Sequence, residues 1–194
     1  MSNAERDALL RIFDALEVLE IPYMVVGSFA STFWGRPRTT HDADLVIQIP
    51  SNKARDLARL LAPDFYAPNF VIEEAVRKGD QFNAIHLASA FKVDFWPLKD
   101  TPYDRERFRR RLLGLLFERQ VWISSPEDII LSKLQWHQAT GGSERQFQDA
   151  LEVYEIQEPY LEQDYLERWA RALGLTELLE QVRRQAARPP QGQR

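Results

Sequence analysis

Tyr23-Met24-Val25-Val26-Gly27-Ser28, followed after Phe29 to His41 by Asp42-Ala43-Asp44-Leu45, is the part of this 194-residue chain whose reading decides the rest. Residues 23–26 form a short apolar run that reads as a strand and leads straight into Gly27-Ser28. Residues 28–34 read as a helix with Ser28 near its N-terminus. Gly35-Arg36-Pro37-Arg38-Thr39-Thr40 has the composition of a loop. Asp42 to Ile49 alternates as a strand does. Side chains on a strand point to opposite faces in turn. Asp42, Asp44, Val46 and Gln48 therefore share one face, and Ala43, Leu45, Ile47 and Ile49 form the other, the natural core face.

Asn83 to Ala88 and Phe91 to Trp96 read as two further strands joined by a short turn. In the second of them Phe91, Val93 and Phe95 point one way, and Lys92, Asp94 and Trp96 the other. If this strand neighbours Asp42–Ile49 in register, three carboxylates converge opposite the core. Such carboxylates repel one another, and the cluster is costly unless a cation neutralises it. An all-oxygen set suits magnesium, or manganese, shared with substrate phosphates. A bare Asp-x-Asp is more often a pair of solvated acids; the Gly-Ser upstream changes that reading.

Val26-Gly27-Ser28, the spacer, Asp42-Ala43-Asp44-Leu45 and the later Val93-Asp94-Phe95 resemble the signature of the nucleotidyltransferase superfamily related to DNA polymerase beta. Arg36-x-Arg38-Thr39-Thr40-His41-Asp42 resembles the form seen in small bacterial members, among them AbiEii-type toxins and antibiotic nucleotidyltransferases. Pro126 to Leu134 looks like the start of that group's helical region, with Arg145-Gln146-Phe147-Gln148-Asp149 a loose match to a later basic-x-x-x-Asp element. The resemblance covers residues 23 to about 150. Gly-Ser replaces the commoner Gly-Gly, and Gln146 stands where a basic residue is often found.

The resemblance implies an α+β fold, a nucleotidyltransferase-like mixed sheet flanked by helices, with a helical C-terminal region. It implies that Asp42, Asp44 and Asp94 bind Mg2+ (or Mn2+) around a nucleoside triphosphate, with Asp94 deprotonating or orienting the attacking hydroxyl. Gly27, Ser28, Arg38 and Lys133 would then contact the nucleotide. Gly27 allows close backbone approach, and Ser28 stands at a helix N-terminus, where free N–H groups favour anions.

Outward from this core, Ser2 and Glu5 have capping-box spacing and open a helix over residues 3–19, broken by Pro22. A helix follows from Ser51 to about Leu61, and the pattern of residues 62–80 is ambiguous. Arg105, Arg107, Arg109, Arg110 and Arg111 are basic; with Phe108, Leu112 and Leu113 they read as one face of an ordinary helix rather than an RNA contact. Val121-Trp122-Ile123 is a last strand. Ser125-Pro126-Glu127-Asp128 starts a helix, and the helical pattern runs to about Ala187 with breaks at Gly141-Gly142, Pro159 and Gly174. The expected division is a catalytic domain over 1–123, a helical region over 124–188 and a disordered tail over 189–194.

The net charge of −4 argues against a nucleic-acid coat protein, and the absence of cysteine excludes disulfides and cysteine zinc sites. No secretory signal and no membrane span is read, so a cytoplasmic protein is expected. His41, His86 and His137 lack metal-ligand spacing, and the five tryptophans read as core. Metal-dependent transfer of a nucleoside monophosphate to a hydroxyl on RNA, protein or a small molecule leads the functional readings. A non-catalytic partner protein, such as a toxin–antitoxin component with a cognate protein partner, comes second. A two-carboxylate hydrolase ranks last, because two acids on one strand face do not flank a cleft.

Overall fold

A computed structural model describes residues 1–187; the tail for which disorder is expected lies outside the described residues. The elements run α1 (Asn3–Val18), β1 (Tyr23–Val26), α2 (Gly27–Trp34), β2 (Asp42–Ile47), α3 (Ala54–Leu61), β3 (Phe65–Tyr66) and α4 (Asn69–Lys78). Then follow β4 (Phe82–His86), β5 (Lys92–Pro97), α5 (Pro102–Arg109), β6 (Leu112–Leu116), β7 (Arg119–Ile123), α6 (Pro126–Ala139), α7 (Glu144–Gln157), α8 (Gln163–Ala172) and α9 (Thr176–Ala186). The described chain divides into two compact units: Met1–Phe29 with Thr39–Ser124, and Ala30–Arg38 with Ser125 onward.

The first unit is a mixed sheet with the strand order β3-β4-β5-β2-β1-β7-β6. β2 runs antiparallel to β1 and parallel to β5, and β1 runs parallel to β7. One face carries Tyr23, Val25, Ala43, Leu45, Val93 and Phe95, all buried. Leu9, Ile12, Phe13 and Leu16 of α1 and Leu57 and Leu61 of α3 are buried too, and Phe13 stacks on Tyr23 at 5.3 Å between centroids. Burying side chains of this size removes several hundred Å² of apolar surface from water and supplies the driving force for this layer. Local signals start its helices. The Ser2 hydroxyl accepts from Glu5 N–H while Glu5 accepts from Ser2 N–H at 2.6 Å, a full capping box. Thr101 caps α5, with Pro102 at its first position.

The second unit is helical. Ser125 caps α6 and accepts from Asp128 N–H, as the Ser-Pro-Glu-Asp run predicts. The Asp128 carboxylate, fully buried, accepts from the Ser125 hydroxyl and from Tyr165 OH at 2.7 Å. Burial of so polar a group demands such partners.

One expectation changes, and one ambiguous segment is assigned. Leu112 and Leu113 do not continue the arginine-rich helix: α5 stops at Arg109, and Leu112–Leu116 is the edge strand β6. The segment without a reading holds β3 and α4, and α4 ends at Gly79, whose φ of +73° closes the helix in the left-handed region that glycine tolerates.

Candidate functional site

The site is built by register. β2 and β5 are neighbours, with Asp44 opposite Asp94 and Asp42 opposite Lys92. Val26 of β1 stands on the other side of Asp44, and Asn83 of β4 on the other side of Asp94. The row Val26, Asp44, Asp94, Asn83 thus lies on the sheet face away from α1. One step along the strands, Met24, Val46 and Phe108 are buried in a small apolar cluster joined by Val26, Trp96 and Leu98. That cluster borders the carboxylates on the same sheet face.

Each carboxylate has its own restraint. Thr40 donates its hydroxyl to the Asp42 carboxylate at 3.0 Å and to the Asp42 carbonyl at 3.1 Å. The Trp96 indole N–H donates to Asp44 Oδ1 at 3.2 Å. Lys92 Nζ lies 2.6 Å from Asp94 Oδ2. Asp94 is only 5% exposed, and its Oδ1 is buried without a hydrogen-bond partner. The Lys92 ammonium is held above the ordinary lysine range first by the hydrogen bond to Asp94, against the cost of partial burial, and then by the fields of Asp94, Asp42 and Asp44.

Gly27 has a structural duty as well. Its φ is +60°, and a Cβ placed on it would lie 2.1 Å from Asp44 Oδ2 and 2.8 Å from Asp44 Cγ. The Asp44 carboxylate therefore occupies the volume a side chain at position 27 would need. Ser28 follows it in the first turn of α2.

As to a divalent cation, no three His, Cys, Asp or Glu side chains among the described residues stand together as a ready-made cage. The donor chemistry nevertheless fits one. The carboxylates supply oxygen only, Asp94 keeps a buried oxygen with no partner, and the positive charge now beside them is the Lys92 ammonium. An ammonium at 2.6 Å marks where a cation is favoured.

Arg38 and Lys133 belong to the second unit. Lys133, 3% exposed, donates to Asp149 Oδ2 at 2.6 Å, and Arg38 donates to both Asp149 oxygens at 3.1 and 2.9 Å. Burial alone would raise the Asp149 carboxyl; the hydrogen bonds from Arg38 and Lys133, and their charges, outweigh it and hold the group below the usual carboxylate range. A carboxyl with a lower pKa folded than unfolded contributes stability above the ordinary carboxylate pKa. That contribution is lost as pH falls through its folded value. Urea unfolding followed from pH 6 down to pH 3 is expected to show a loss of stability below about pH 4, and Asp149→Asn is expected to flatten that acid limb.

The alternation of β5 places Lys92 and Trp96 beside Asp94, but not their partners. Thr40 is within the quoted motif, yet its bond back to Asp42 depends on the loop conformation and has no signal in spacing.

No protein-family model matches the sequence, and no curated protein matches it. Among solved structures the chain is similar to the antibiotic-resistance factor ANT(2'')-Ia, with 14% identity over 95% of this chain and 99% of that one and a TM-score of 0.58. It is similar to an antigenic nucleotidyltransferase-like protein from Paracoccidioides brasiliensis, with 17% identity over 92% and 91% of the two chains and a TM-score of 0.56. The lincosamide antibiotic adenylyltransferase LnuA, bound to lincomycin, aligns with 12% identity over 77% of this chain and 96% of its own at a TM-score of 0.52. At these identities the likeness is one of fold.

Proposed function

We propose that this chain, whose fold is nucleotidyltransferase-like, transfers a nucleoside monophosphate from a nucleoside triphosphate to a hydroxyl and releases pyrophosphate. The observation that carries the proposal is the register of β2 and β5, which sets Asp44 beside Asp94 with Asp42 one step away on the same face. In this reading Asp42 and Asp44, and Asp94 when Lys92 releases it, hold Mg2+ or Mn2+, which when bound supplies charge neutralisation for the triphosphate and the developing negative charge.

The chain's own groups do the rest. Thr40 and Trp96 hold the carboxylates of Asp42 and Asp44 in fixed orientations, so no reorganisation is needed at the moment of reaction. Gly27 and Ser28 offer backbone and hydroxyl donors to a phosphate at the first turn of α2. The acceptor oxygen attacks the α-phosphorus, the bond from that phosphorus to the oxygen bridging the β-phosphate breaks, and pyrophosphate leaves. The acceptor proton passes to the Asp94 carboxylate.

Two solved relatives in fold guide the choice of acceptor: one structure shows ANT(2'')-Ia with adenylyl-2''-tobramycin, the other LnuA with lincomycin. Both support a small polyhydroxylated molecule as the first acceptor class to test, ahead of RNA or protein. The experiment incubates the chain with each α-labelled triphosphate, magnesium and a cell extract or a panel of hydroxylated small molecules. Label moving into a small-molecule fraction is the expected result. Label moving into RNA or protein would keep the transfer and change the acceptor; no movement with any triphosphate, under conditions where the triphosphate binds, would overturn the proposal.

A further inference from the structure

β6 closes one side of the sheet, and it is an unusual edge. Its sequence is Leu112-Leu113-Gly114-Leu115-Leu116. Leu112, Leu113 and Leu115 are exposed, Leu115 by 65%. Proteins blunt exposed edges with lysine, proline or a bulge, because an open row of N–H and C=O groups invites another strand. None of these devices occurs between Leu112 and Leu116, and the register with β7 is unbroken.

The hairpin geometry says which groups are open. β6 and β7 are joined by the two-residue turn Phe117-Glu118, whose φ values of +52° and +64° are those of a type I′ turn. Leu116 and Arg119 flank that turn and form its closing hydrogen-bonded pair, so Gly114 and Val121 form the next. The backbone groups of Leu113 and Leu115 therefore point to the free edge. Their side chains lie on the sheet face shared with Trp122, itself 36% exposed and opposite Leu113.

We propose that a second copy of this chain covers this edge, its β6 pairing antiparallel with the first across a two-fold axis at Gly114. In that register Leu113 of one copy faces Leu115 of the other, and these are the residues whose backbone groups are open. Gly114 meets Gly114 in the closer, non-hydrogen-bonded pair, where the absence of a Cβ permits the approach. The four leucines and the two Trp122 rings merge into one apolar stripe. Antiparallel pairing also brings the basic end of β6, which Arg110 and Arg111 precede, toward the end of the other copy's β6, where the turn carries Glu118, a charge-complementary match made twice by the symmetry. A shift of two residues in one direction sets Leu113 against the turn residue Phe117, and the opposite shift sets Leu115 against Arg111, so either shift breaks the leucine pairing. The contact is isologous and closes, as a dimer interface must.

The chain has no cysteine, so the register is open to direct test. Sedimentation equilibrium of the full chain is expected to give a dimer, and Leu115→Lys a monomer with unchanged circular dichroism. Gly114→Cys is expected to form an intermolecular disulfide under mild oxidation, because only at the axis does a residue meet its own copy, while Gln120→Cys on β7 stays reduced. A wild-type monomer up to about 100 μM, or a dimer that survives Leu115→Lys, would overturn the proposal. Should Gly114→Cys fail to fold, Leu113→Cys with Leu115→Cys, mixed as two separate chains, gives the same reading through the hetero-crosslink.

Discussion

Asp44→Asn is expected to lower metal-dependent nucleotidyl transfer by about a thousandfold, roughly 4 kcal/mol of transition-state stabilisation, while leaving the fold intact. Asp44 stands at the centre of the row, between Val26 and Asp94, with Gly27 against its Oδ2 and the Trp96 indole donating to its Oδ1. An amide fills the same space, so packing is kept. It carries no charge and offers one oxygen instead of two, which removes a carboxylate that the proposed function assigns to the divalent cation. The steady-state rate of transfer, measured beside the circular dichroism of the same preparation, checks both halves. Full activity in a folded variant would remove Asp44 from the chemistry.

Gly27→Ala is expected to be nearly as damaging, by a different route. The added methyl would meet Asp44 Oδ2 at 2.1 Å, a distance no real contact tolerates, and the obstacle is the carboxylate proposed to hold the cation. Relief comes only by moving Asp44 or the backbone of the β1–α2 junction. The positive φ adds about 1–2 kcal/mol of conformational cost for a residue with a Cβ. The expected outcome is a loss of at least a hundredfold in transfer, about 3 kcal/mol, with a smaller loss in urea stability. Gly79→Ala separates the two effects. Gly79 has φ +73° with nothing within 4 Å of its Cβ position, so it carries the backbone cost alone and should retain transfer. Equal activity losses in both variants would mean that stability, and not the place of Asp44, governs the result.

Much of this arrangement is legible in the order of residues, because the determining rule is the two-residue period of a strand. That rule puts Asp42 and Asp44 opposite Ala43 and Leu45, and Asp94 opposite Val93 and Phe95, without reference to any long-range contact. It also puts Lys92 and Trp96 on the carboxylate face. It does not say that Lys92 pairs with Asp94, because an ammonium on a flexible stem can reach several acids. The rule fails at β6, where Leu112, Leu113, Leu115 and Leu116 show no alternation. An edge strand with its outer face open to solvent needs none, and the arginines just before it blend into a helical pattern. It fails again at β3, where two residues are too few to show a period. Nor does local pattern show that Ala30–Arg38 joins the helical unit, where Arg38 meets Asp149, 111 residues later.

The most direct test of the carboxylate row is anomalous diffraction from crystals grown with Mn2+ and a non-hydrolysable nucleoside triphosphate. A manganese peak is expected between Asp44 and Asp94, within about 2.2 Å of carboxylate oxygens from both, with Lys92 Nζ displaced from Asp94 Oδ2 and the triphosphate against Gly27 and Ser28. A peak elsewhere, or the nucleotide bound with Lys92 still on Asp94 and no metal at the row, would contradict it.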